Sequence, residues 1–66
     1  MGGYQMKLYK TIEDDLGVTY AKPKNHRLDP DGRIIADFTI VNAPSDLKSE
    51  IGKFNCYRLK DMEVIK

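Results

Sequence analysis

The sequence predicts a small all-β fold: a five-stranded, half-open barrel with one short helical turn before its fourth strand. Three observations carry this. Apolar and polar residues alternate with a period of two through several short runs, the pattern of half-buried strands. Turn-forming Gly, Pro and Asp residues separate those runs at roughly eight to twelve residue intervals. The chain is also short, with 66 residues in all, which is enough for one small domain and no more.

The first run covers residues 4–12. Met6, Leu8 and Ile12 share one parity and Lys7, Thr11 and Glu13 the other, which predicts a strand with its apolar side inward. Lys10 interrupts the apolar side and Tyr9 adds a ring to the polar one. Glu13-Asp14-Asp15-Leu16-Gly17 then reads as a reversal, because Gly17 accepts positive φ without steric cost. Residues 18–22 resume the alternation, with Val18 and Tyr20 on one face, and complete a hairpin. Pro23 ends that strand because it donates no ladder hydrogen bond.

Residues 24–28 are polar and basic with no periodicity and read as a loop. Asp29-Pro30-Asp31-Gly32 is a turn whose chemistry is legible: Pro presets φ, Asp caps, and Gly takes the left-handed position. Residues 33–41 form the strongest strand. Ile34, Ala36, Phe38 and Ile40 make one face, and Ile35, Thr39 and Val41 keep the other mostly apolar around Asp37. A strand apolar on both sides belongs at the centre of a sheet or under a partner. Asn42-Ala43-Pro44-Ser45 breaks it, and Ser45 or Asp46 is positioned to cap a helical turn through Glu50, with Gly52 closing it. Residues 53–59 make the fourth strand, Lys60-Asp61 a tight reversal, and residues 62–65 the last strand.

Five such strands in so short a chain predict an SH3-like or OB-like barrel; an α+β sheet with one short helix is the alternative. Residues 1–3 read as a flexible N-terminus or cloning remnant, and residues 4–66 as the single β-barrel domain. Met1-Gly2-Gly3 does not complete a myristoylation start, since Met6 stands where Ser or Thr is wanted. No apolar run approaches the length of a membrane span.

A chain this short needs help to hold a core. Ordering it costs on the order of 100 kcal/mol, at about 1.5 kcal/mol per residue. The single Cys56 excludes an internal disulfide, and one Cys with one His, His26, cannot complete a zinc site. A well-packed barrel or self-association as a homodimer remains. The lone thiol also fits a reducing compartment, and cytoplasmic residence is the expectation. Eleven Lys and Arg against ten Asp and Glu give a net charge of +1, which argues against a polyanion-binding tail and against an acidic nucleic-acid mimic.

No nucleophile elbow, Gly-rich phosphate loop or metal-ligand spacing is present, so the chain reads as non-enzymatic, with no catalytic residue, metal or cofactor. Asp29-Pro30-Asp31-Gly32 has the first acids of a calcium loop without its later ligands and is better read as a turn. Cys56 alternates with Phe54 and reads as a small hydrophobe.

Two binding readings stand beside each other. The leading one is a protein-binding module that modulates or inhibits a host protein, as phage and mobile-element accessory proteins do. It would act by strand addition at an edge or through a tyrosine patch. Tyr9 and Tyr57, with Tyr4, fall on the parity opposite the inferred core, so each serves either to close the barrel or to meet a partner. Asp37 interrupts the most apolar strand; it either pairs with a cation on a neighbouring strand or marks a contact face, and pairing is the favoured reading. The other reading is an RNA- or DNA-binding barrel in which Lys22, Lys24, His26 and Arg27 of the basic loop 20–27 hold phosphates while Tyr20 stacks on a base.

Overall fold

The strand at residues 34–42 organises the molecule. The computed structural model describes residues 7–13 and 16–65; the expectations for residues 1–3, for the start of the first strand and for Asp14 and Asp15 lie outside them. Six strands follow in order: β1 (Tyr9–Thr11), β2 (Thr19–Tyr20), β3 (Lys24–Leu28), β4 (Ile34–Asn42), β5 (Phe54–Arg58) and β6 (Met62–Val64). Short 3-10 turns cover Ser45–Glu50 and Leu59–Asp61. β4 is long because it is rich in β-branched and aromatic residues and has no Gly or Pro to break it. It is the central strand, with β5 on one edge and β2 and β3 sharing the other.

All pairings are antiparallel, and β1 links β2 to β6. The curl of the sheet follows from its connectivity. β5 lies at one edge and β6 at the other, yet only Leu59–Asp61 joins them. The two edges must therefore approach each other, and the sheet becomes a half-barrel.

Phe38 is the centre of the core and is fully buried. Val18, Tyr20, Ala36, Ile40, Ala43 and Met62 surround it, with Tyr9, Leu47, Tyr57 and Leu59 packed against the outside of that cluster. Three tyrosine rings meet Phe38: Tyr9 at 5.9 Å and Tyr20 at 6.2 Å, both edge-on, and Tyr57 tilted at 6.1 Å. Such arrangements suit the ring quadrupoles and add to the stabilisation that burial provides. The Tyr20 and Tyr57 hydroxyls share a hydrogen bond of 3.1 Å, which satisfies the polar ends of both rings.

The segment expected to be an aperiodic loop is a strand, β3. Its side chains are all exposed, so no hydrophobic period could announce it. It forms because the first half of β4 presents backbone groups on that edge, and backbone pairing is indifferent to side-chain polarity. β2, residues 21–23 and β3 run as one interrupted strand along β4, with the Ala21 N–H donating to the Thr39 carbonyl at 2.8 Å. Pro23 falls in the interruption, where no ladder donor is needed. A second irregularity lies between Lys24 and Arg27, where Asn25 takes φ 58°, a left-handed geometry that Asn tolerates better than most residues.

Three local expectations change. Tyr9 packs on the core while Ile12, past the end of β1, is exposed, so the inward parity of the first strand is the reverse of that predicted. The expected helical turn is present as a 3-10 turn at Ser45–Glu50, but Pro44 stands at its N-cap with no side-chain cap from Ser45 or Asp46. Residues 60–61 belong to a 3-10 turn that begins at Leu59, not to a two-residue reversal. The turn chemistry at Asp29 holds as expected. Its Oδ1 accepts from the N–H groups of Asp31 and Arg33, both at 2.9 Å, and Gly32 takes φ 79°.

Candidate functional site

β5 has one edge paired and one edge open. Residues 54–58 pair with residues 39–35 of β4, and among the described residues no strand pairs with the other edge. Which backbone groups face the open edge follows from the register. Ile40 donates to the Lys53 carbonyl at 2.8 Å, and Gly52 donates to the Ile40 carbonyl at 2.9 Å. Gly52 has φ 96°, the geometry of a bulge residue that only Gly adopts freely. Hydrogen-bonded pairs alternate in an antiparallel ladder, so Asn55 and Tyr57 turn their backbone groups toward β4. Phe54, Cys56 and Arg58 turn theirs to the open edge. The Ala21–Thr39 bond on the far side of β4 obeys the same alternation. Phe54 stands beside this edge and is 59% exposed, and Cys56 is exposed next to it.

The outer face of β3, β4 and β5 is tied together by charge. Asp37 is buried, and both carboxylate oxygens are used: Oδ1 accepts from Arg27 Nη2 at 3.1 Å and Oδ2 from Asn25 Nδ2 at 3.0 Å. Arg27 also donates to the Asn25 carbonyl at 2.7 Å and lies 3.2 Å from Cys56 Sγ. One rung along, Arg58 bridges the turn before β4, donating from Nε to Asp29 at 2.8 Å and from Nη2 to Asp31 at 3.0 Å. These contacts brace the outer face of the sheet and hold β5 in register.

They also set an acid dependence. Asp29 sits below the ordinary carboxylate value of 3.8, chiefly because the Arg33 N–H donates to it, with Arg58 adding to the effect against partial burial. Asp37 is lowered too, first by the Asn25 amide and then by Arg27. Arg58 is raised by Asp29. Both acids thus bind protons less readily when folded, so their contribution is present above the unfolded value and is lost as pH falls through the folded one. The melting temperature should hold from neutrality to about pH 5 and drop below about pH 4. Asp37→Asn and Asp29→Asn should each shrink that drop; an unchanged acid slope in both variants would show that these pairs are not the cause.

The residues singled out from the sequence fall into three groups. Tyr9 and Tyr57, expected as partner contacts, are half-buried against Phe38 and share in the core; of the two uses open to them, closure is the one the packing displays. Asp37 is a buried, paired carboxylate, the structural alternative of its two readings. Of the nucleic-acid set, Tyr20 is only 4% exposed and its ring is enclosed by Phe38 and Tyr57, so it offers no face to a base. Arg27 is committed to Asp37, and Lys22, Lys24 and His26 remain exposed on or beside β3. That edge has cations and no stacking platform.

Phe54 and the Arg58 cluster are the features that sequence reasoning did not single out. β5, the fourth of the strands expected from the sequence, has apolar residues on both parities, so its outward side is not readable from five residues. Asp29 and Arg58 lie in separate elements, and only the pairing of β4 with β5 brings them together. Among the described residues no three His, Cys, Asp or Glu side chains are grouped to hold a metal ion. No helix among them is long and apolar enough to cross a membrane. Compared with known protein families, curated proteins and solved structures, the chain matches none.

Proposed function

We propose that the protein is a non-enzymatic protein-binding module that accepts an extended segment of its partner along the open edge of β5. The observation that carries this is the row of outward backbone groups at Phe54, Cys56 and Arg58, with the exposed Phe54 ring beside it. Main-chain hydrogen bonds supply affinity in strand addition and side-chain contacts supply selectivity. Edges left open in this way are normally blunted by proline, inward charge or a covering loop. β5 has no proline, and its charge, Arg58, is engaged by Asp29 and Asp31. A partner strand held here is masked from its other contacts, which is how such a module modulates or inhibits a host protein.

The order of the strands favours the SH3-like over the OB-like alternative. A bent strand formed by β2 and β3 is followed by β4 and β5 as a meander. A 3-10 turn then returns the last strand to β1. The exposed thiol of Cys56 supports a reducing compartment such as the cytoplasm.

The test compares nuclease-treated lysate proteins retained by the immobilised wild type, Cys56→Pro and Phe54→Lys. Proline at 56 removes an outward donor, and lysine at 54 puts a charge where a partner side chain would pack. A protein held by the wild type and lost from both variants is the expected result. An identical retained set on all three would refute edge binding, and light scattering that shows a β5-dependent dimer would make the second strand another copy of this chain.

A further inference from the structure

We infer that the open end of the half-barrel is a second part of the binding surface, a groove that takes an apolar side chain from an acidic peptide segment of the partner. The inference deepens the protein-binding reading and rests on it. Leu28 and Ile34 face each other across β3 and β4. Alternation places both on the side of the sheet that carries Ala36 and Phe38 deeper in. There no described residue covers the inner face: Leu28 is 67% exposed and Ile34 51%. Beside them an open groove of about 300 Å³ is lined by Arg33, Ile34, Leu59 and Lys60. Its floor is apolar, and its two flanking residues are both cations.

Charge decides the occupant. Neither Arg33 nor Lys60 forms an ion pair among the described residues. The aspartates nearest in the turn, Asp29 and Asp31, are bonded to Arg58 instead. Arg58 shares a rung with Ile35, on the opposite face of the sheet from Ile34. Arg58 therefore holds Asp29 and Asp31 on the outer face, while Arg33 and Lys60 line the groove. An apolar anchor flanked by carboxylates matches the groove in both respects, whereas a basic segment would meet like charge. The groove also lies directly past the end of β5, so a strand added along that edge can continue into it.

The experiment titrates the 15N-labelled chain with a short peptide of alternating Glu and Leu, and with the same peptide carrying Lys at each Glu. Binding of the Glu peptide with shifts centred on Leu28, Arg33, Ile34, Leu59 and Lys60 is expected, with little response to the Lys peptide. The double variant R33E/K60E should weaken the Glu peptide by at least about tenfold while keeping the native amide spectrum. Equal binding of the two peptides, shifts centred elsewhere, or full affinity in the double variant would overturn the groove. Cys56→Pro separates the two proposals: a lysate partner that depends on β5 but ignores R33E/K60E leaves the edge standing and removes the groove. If no protein depends on β5, the underlying reading fails whatever the peptides do.

Discussion

Phe38→Ala should leave the chain largely unfolded at room temperature. The ring is fully buried and touches three tyrosines, and truncating a buried Phe costs about 3–5 kcal/mol once the cavity is included. A domain of 66 residues has about 3–10 kcal/mol to lose, at roughly 0.05–0.15 kcal/mol per residue. The loss is therefore comparable to the whole stability. Urea melts followed by circular dichroism should show no native baseline, or a midpoint far below that of the wild type. Phe38→Leu keeps most of the volume and should retain a cooperative transition. A Phe38→Ala midpoint close to the wild type would mean that the tyrosines collapse into the space and that the centre of the core lies elsewhere.

A pair of proline substitutions should give opposite results one residue apart. Asn55 pairs with Phe38 at a position whose N–H faces β4, so Asn55→Pro removes a ladder donor. The Phe38 carbonyl is then left buried without its partner, at a cost of about 1–3 kcal/mol before ring clashes are added. Cys56 pairs with Asp37 but turns its N–H to the open edge. Cys56→Pro loses no ladder bond and only the Arg27 contact to sulfur, so its stability should stay near wild type. Denaturant midpoints of the two variants test this directly. Equal destabilisation, or the reverse order, would show that Cys56 rather than Asn55 turns its N–H toward β4, and the proposed binding edge would fall with it.

The long β-branched and aromatic run of β4, with no Gly or Pro to break it, made its centrality readable. The turn at Asp29 was equally readable, since its geometry depends on residues within the turn. β3 was not. Its side chains are exposed, and what holds it is the backbone of β4 and the single carboxylate of Asp37, neither of which gives residues 24–28 a hydrophobic period. Tyr9, Tyr20 and Tyr57 show the same limit at the candidate site. The parity of a three-residue strand does not say which side faces in, and a stacking role for Tyr20 requires an open loop at residues 20–27, where the fold instead buries its ring.

Local chemistry determines much of this protein. The short strands, the turns at Gly17, Gly32 and Gly52, the absence of an internal disulfide, and the near-neutral charge all follow from residues and their immediate neighbours. Tertiary structure alone decides which edges stay open and where charge is spent. β6 returns to β1 through one short turn, so the sheet curls and β5 ends as an unpaired edge. Arg58 meets Asp29 and Asp31 only because β4 and β5 align them. Those choices rest on pairing between distant segments, and it is in them that the binding surface lies.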